Sequence, residues 1–87
     1  MKRPAPYDVV MPISKMAVFH SASKRERRVL VDFFDRLAGN PFLESEWIIE
    51  DATGRTHYCQ QVGKHLVTYW ADHAVREVKV VKLERIS

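Results

Sequence analysis

The stretch from Ser23 to Pro41 constrains the fold of this chain more than any other. Glu26 follows Ser23 by three residues. That is the spacing of a capping box, in which the serine oxygen accepts an early amide N–H and the glutamate reaches back to the cap. Apolar residues then fall at Val29, Leu30, Phe33, Phe34, Leu37 and Ala38. Steps of one, three and four draw a single stripe along a helix. Asp32, Asp35 and Arg36 lie off the stripe. Gly39 is placed to follow the last helical residue and Pro41 blocks any continuation. The pattern predicts a helix over 23–38, and its stripe must be buried against another layer.

The segments around it read as strands. Residues 1–12 hold three of the four prolines, Pro4, Pro6 and Pro12. Proline removes a backbone donor, so this stretch is expected to be an extended arm. The apolar run Ile13 to His20 is expected to be a first strand. Glu46 to Asp51, Thr56 to Val62, Lys64 to Trp70 and Glu77 to about Arg85 follow, separated by turn signals at Ala52–Arg55, Gly63 and Ala71–Ala74. Alternation puts His65, Val67 and Tyr69 on one face, and Leu66, Thr68 and Trp70 on the other. In the last strand Val78, Val80, Val81 and Leu83 do not alternate, which predicts burial on both faces. The expected fold is α+β, one amphipathic helix packed on a mainly antiparallel four-stranded sheet in the order β-α-β-β-β, counting 56–70 as one strand with an extra break allowed at Gly63. The 87 residues make one domain, 1–87, with 1–12 as its arm. One helix covers one face of such a sheet and leaves the other for solvent or a partner.

Size and charge narrow the function classes. A chain this short buries only roughly 60–65% of its unfolded surface, so its core is small. The longest apolar runs, such as Met16-Ala17-Val18-Phe19, fall far short of the roughly 20 residues of a membrane span. Lys2 and Arg3 are followed by Pro4, Pro6 and Asp8 where the apolar part of a signal peptide would stand. The single cysteine, Cys59, has no internal disulfide partner, and the expected compartment is the cytoplasm. Net charge is +3. Residues 1–28 carry seven Lys or Arg against two acids, 29–53 one against six, and 54–87 six against three. This distribution fits either an ordinary solvated surface or a basic face toward nucleic acid or an acidic partner.

Motifs for chemistry are sparse. His57, His65 and His73 are spaced by eight, which is not a ligand spacing in strands, so no metal is expected. His57 and Cys59 share a strand face, but no third group orients them as a nucleophilic pair. Gly54 and Gly63 stand alone, without a phosphate loop, and no cofactor is expected. Lys24, Arg25, Arg27 and Arg28 crowd the start of the helix against its macrodipole. Either they form a solvated first turn, or they meet phosphate or a carboxylate-rich partner. Trp47, Tyr58, Tyr69 and Trp70 are strand aromatics. At least two belong in the core. Any that project from the open face beside Lys64, Arg76, Lys79 or Lys82 could stack on bases while the cations hold phosphates.

Two segments together resemble the RelE/ParE toxin superfamily. Asp32-Phe33-Phe34-Asp35-Arg36-Leu37-Ala38-Gly39-Asn40-Pro41 resembles the Phe-x-x-Leu-Ala-x-x-Pro end of the main helix of ParE-type toxins. Gly63-Lys64-His65-Leu66-Val67-Thr68-Tyr69 resembles their Gly-basic-His-aliphatic-aliphatic-x-Tyr strand, and Glu77 to Leu83 their last strand. The resemblance implies a toxin-like component of a prokaryotic toxin–antitoxin system with a cognate antitoxin as partner. It implies either a ParE-like inhibitor of DNA gyrase, favoured by Gly63-Lys64-His65, or a RelE-type ribosome-dependent mRNA endonuclease. A non-catalytic binding domain that kept the fold is the third alternative. In the nuclease case the implied candidates are His65 as the titrating group, with Arg55, Lys64, Lys79 and Arg85 as cations. Binding of nucleic acid or partner falls to Lys24, Arg25, Arg27, Arg28, Arg76, Lys79, Lys82 and Tyr69. Members of the superfamily carry a two-helix hairpin, and the nucleases a basic tail. One helix and an end at Leu83-Glu84-Arg85-Ile86-Ser87 mark the expected chain as a reduced or divergent member. An exposed sheet edge also admits a homodimer.

Overall fold

The computed structural model describes residues 6–43 and 45–86. The first five residues of the expected arm lie outside them. The elements are β1 (Asp8–Val10), α1 (Ile13–Ser21), α2 (Lys24–Gly39), β2 (Trp47–Glu50), β3 (Thr56–Val62), β4 (His65–Asp72) and β5 (Glu77–Arg85). The sheet has five strands in the order β1-β5-β4-β3-β2. β2 to β5 form an antiparallel meander, and β1 joins β5 in parallel.

The capped helix forms where its sequence predicts. The Ser23 hydroxyl accepts from the Glu26 amide at 3.1 Å. Leu30, Phe33 and Leu37 point inward and are fully or almost fully buried. They meet Val62, Val67, Tyr69, Val78, Val80 and Leu83 from one face of the sheet. Burying each large apolar side chain contributes roughly 1.5–3 kcal/mol. Gly39 closes the helix from within, and Asn40 rather than Gly39 is the cap, its amide donating to the Arg36 carbonyl.

Two expectations fail. Ile13 to His20 is a helix, not a strand, so the described residues form two helices. Ser14, Lys15, Met16 and Ala17 disfavour a strand more than their apolar neighbours favour one. The partly buried residues Lys15, Val18 and Phe19 follow the helical period. Arg27 fastens α1 to α2, its Nη1 donating to the carbonyls of Ala22 at 2.7 Å and His20 at 3.2 Å. Among the described residues the sheet has five strands rather than four: Thr56–Val62 and His65–Asp72 are separate strands divided at Gly63, and part of the expected arm, Asp8–Val10, pairs with Glu77–Lys79 in place of the lost first strand.

The broken alternation of β5 comes from a bulge and not from burial on both faces. Tyr69 faces Val80 and Thr68 faces Lys82, which leaves Val81 as an extra residue in a β-bulge. The bulge returns Val78, Val80 and Leu83 to the same core face. β5 is a central strand, but its other face carries Lys79 and Lys82 instead of a second core.

Candidate nucleic-acid interface

Both helices pack on one side. Val18 and Phe19 of α1 join the core cluster built by α2. The register then assigns the opposite, open face row by row. Gln61, Leu66 and Glu84 form one row, and Trp47, Cys59, Thr68 and Lys82 the next. Ile49 pairs with His57, and Trp70 with Lys79 and Val10. Asp72, Glu77 and Asp8 make the last row. The centre is thus aromatic and basic, and acids frame both ends.

Local sequence places the cations. In the β2–β3 turn one carboxylate oxygen of Asp51 accepts from the amides of Thr53 at 2.8 Å and Arg55 at 3.0 Å, and from the Thr53 hydroxyl. Gly54 supplies the positive φ of 85° that the turn needs. The Thr53 hydroxyl, with the amides of Arg55 and Thr53, holds the Asp51 carboxyl below the usual carboxylate range against a smaller effect of burial. This turn fixes the backbone from which Arg55 reaches across to Trp70. The Arg55 guanidinium lies 3.9 Å from the Trp70 ring centroid, and the Lys79 ammonium lies 5.1 Å from the same ring. Lys79 also donates to Asp72 at 3.0 Å, which keeps the Asp72 carboxyl low. The other Asp51 oxygen stands 3.3 Å from His57 Nε2, an ion pair when the imidazole is protonated. Cys59 lies on the same face as His57 but is buried, with Sγ 3.3 Å from the Thr68 hydroxyl. Among the described residues no group of three His, Cys, Asp or Glu is arranged to hold a metal.

Solved structures share this arrangement almost end to end. A chain of the archaeal RelE–RelB complex from Pyrococcus horikoshii OT3 matches with a TM-score of 0.79 over 94% of this chain and 97% of that one, at 20% identity. A chain of the toxin–antitoxin complex RelBE2 from Mycobacterium tuberculosis matches with a TM-score of 0.74 over 92% of this chain and 98% of that one, at 17% identity. The fold is that of the RelE/ParE toxins. No protein-family model and no curated protein matches the sequence. The RelE/ParE helix pair, missing from the sequence-based expectation, is present as α1 and α2, and the apparent reduction to one helix is withdrawn.

The fold distributes the sequence-derived candidates over several separate places. Arg55, Lys79 and Lys82 come together on the open face. His65 and Arg85 pair on the core face at the opposite end of the sheet. Lys64 sits exposed at the adjacent hairpin tip, where Gly63 has a φ of 60°. Arg55 precedes β3 and Lys64 follows it, so a seven-residue strand, roughly 23 Å long, separates them. The four nuclease candidates His65, Arg55, Lys64 and Arg85 therefore do not form one site. His65 is buried, and burial depresses its imidazole pKa, with Glu26 opposing and Arg85 adding. Tyr69 is 1% exposed and packs on Phe33 and Tyr58, out of reach of bases.

At the start of α2, Lys24, Arg25 and Arg28 line a shallow depression, whereas Arg27 turns inward to α1. Arg76 occupies the β4–β5 turn with its guanidinium 5.9 Å from the Tyr7 ring. His57 and Trp70 are the open-face residues that sequence reasoning left out of the site. The alternation in β4 already separated Trp70 from the core.

Proposed function

We propose that this protein is the toxin component of a toxin–antitoxin pair and that it acts on RNA through the open face of its sheet. The observation that carries the reading is the placement of the Arg55 guanidinium and the Lys79 ammonium against Trp70, with Lys82 in the next row, on a RelE/ParE fold. Single-stranded nucleic acid is held by this combination, cations on phosphates and planar groups on bases. Metal-independent cleavage of RNA needs a base for the 2′-hydroxyl and an acid for the leaving 5′-oxygen. In this reading His57, whose Nε2 is buried beside Asp51, takes the 2′-hydroxyl proton on Nδ1 and returns it to the leaving 5′-oxygen, while Arg55 and Lys79 balance charge on the phosphorane. Such a target puts the protein in the cytoplasm.

The partner in this reading is an antitoxin that adds a strand to β2. All four residues of this edge are exposed, with Trp47 at 49%, Ile48 at 69% and Ile49 at 50%. Glu50 ends the strand, and Glu46 and Asp51 flank it. An apolar strand with Lys or Arg at its ends is the complement, whereas antiparallel pairing of two β2 edges sets acid against acid.

Gyrase inhibition is the second reading, and it leans on Gly63-Lys64-His65, of which Lys64 stands exposed and His65 buried. Purified protein added to a ribosome-based translation reaction and to a gyrase supercoiling reaction separates the two. Translation should fall, with mRNA cut, and supercoiling should continue. Arrest of supercoiling alone would replace the RNA reading with the gyrase one.

A further inference from the structure

A second feature lies where the open face meets the loop after α2. A cavity of about 350 Å³ is lined there by Phe42, Arg55, Thr56, Tyr58, Trp70 and His73, among others. That volume is at the small end of the roughly 300–1,000 Å³ usual for ligand sites. One wall is Phe42, 73% open to solvent. An apolar ring so exposed is normally mobile, yet this one is held. Asn40 Oδ1 accepts from the Phe42 amide at 3.2 Å, and Asn40 O from the Leu43 amide. The Phe42 ring stacks on His73, centroids 5.1 Å apart and planes 12° from parallel. His73 is fixed in turn by the Tyr7 hydroxyl, 2.6 Å from Nδ1, and the Tyr7 backbone is tied to Ala38.

The polar side chains of the cavity can all donate. Arg55 is donor-only, and Thr56 can donate. The His73 ring can add a further donor when the Tyr7 hydroxyl donates to Nδ1, which leaves the ring N–H on Nε2. None of the described lining residues is acidic. Aromatic walls with donors fit a flat ring rich in acceptors and accompanied by negative charge.

We propose that this cavity binds one unstacked nucleobase of an RNA strand, stacked on the rigid Phe42–His73 platform, with its phosphate on Arg55. The inference rests on the RNA reading above and extends it, because Arg55 and Trp70 belong to both the open face and the cavity. A strand bound across Trp70 and Lys79 places its next nucleotide at the cavity mouth.

The test measures binding of a short fluorescent oligoribonucleotide, with salt titration, to wild type, Phe42→Ala, His73→Ala and Lys82→Ala. Phe42 and His73 are surface residues, so folding is checked by circular dichroism and expected to be unchanged. Phe42→Ala should weaken binding about tenfold, the scale of one stacked base, without changing the salt slope. Lys82→Ala should lower the slope. If Phe42→Ala and His73→Ala bind as wild type while Lys82→Ala is weakened, the pocket is overturned and the RNA reading stands. If wild type binds no oligoribonucleotide, the RNA reading falls. Nucleoside 5′-monophosphates then decide the pocket: binding lost in Phe42→Ala upholds a nucleobase site, and no binding overturns it.

Discussion

Arg85 Nη1 stands 2.6 Å from a Glu26 carboxylate oxygen, tying the end of β5 to the first turn of α2. Across the sheet Arg85 faces His65, whose buried ring feels both charges. The Gly63-Lys64-His65 strand start thus carries its histidine into a structural corner, not onto the open face.

That corner makes stability depend on pH. Burial lowers the His65 pKa below its ordinary 6.5, Glu26 partly restores it and Arg85 lowers it again. The unfolded chain takes up this proton at a higher pH than the folded one, so stability rises with pH through that window. It is complete above 6.5 and lost as pH falls through the folded value. The Glu26 carboxyl lies below its usual 4.5 because the Ser23 amide and Arg85 together outweigh burial, and it acts with the same sign at lower pH. Urea midpoints should fall between about pH 7 and pH 5, and His65→Gln should flatten that part of the profile. A flat wild-type profile would show that His65 is not held neutral.

Tyr69 offers a second measurement. Its hydroxyl is buried with no hydrogen-bond partner among the described residues, and burial, with Tyr58 and Cys59, pushes its pKa up to about 12. An unsatisfied buried hydroxyl costs roughly 1–3 kcal/mol. Tyr69→Phe should therefore be as stable as wild type or more stable by about 1 kcal/mol in thermal melts, with RNA binding intact. A loss of binding in a folded Tyr69→Phe protein would return this residue to the interface.

Arg27 belongs to the fold, in contrast to its neighbours. Removing its two hydrogen bonds to α1 carbonyls should cost about 1–2 kcal/mol, because charged donors are stronger than neutral ones. Arg27→Ala should show that loss in urea unfolding, while Arg28→Ala should not. Equal midpoints for the two variants would remove Arg27 from its place between the helices.

The parts of the fold open to sequence reading are those that local chemistry decides. The Ser23 cap, the α2 stripe and the faces of β4 need no distant partner. α1 was misread because its apolar residues fit no period well and its hold on the fold comes from Arg27, Val18 and Phe19 acting at long range. β1 is three residues long and exists as a strand only by pairing with β5, 69 positions away. The Val81 bulge mimics a strand buried on both sides until the register is known. In the site, Lys79 and Lys82 were readable as cations on a strand, and Trp70 by parity. Asp51 with Thr53 and Gly54 carries the signature of a side-chain-capped turn, which could have flagged Arg55 as rigidly held. The distance between Arg55 and Lys64 was not readable, since it depends on which end of β3 each one occupies.

The central claim is that Arg55, Lys79 and Lys82 on the open face hold RNA phosphates. The most direct measurement is the salt dependence of oligoribonucleotide affinity for wild type and for the triple variant Arg55→Ala, Lys79→Ala, Lys82→Ala. Each phosphate contact to a single strand contributes about 0.7 to the slope of log affinity against log salt, so the slope should fall by about 2. An unchanged slope in the folded triple variant would contradict the claim and move the contact away from the open face.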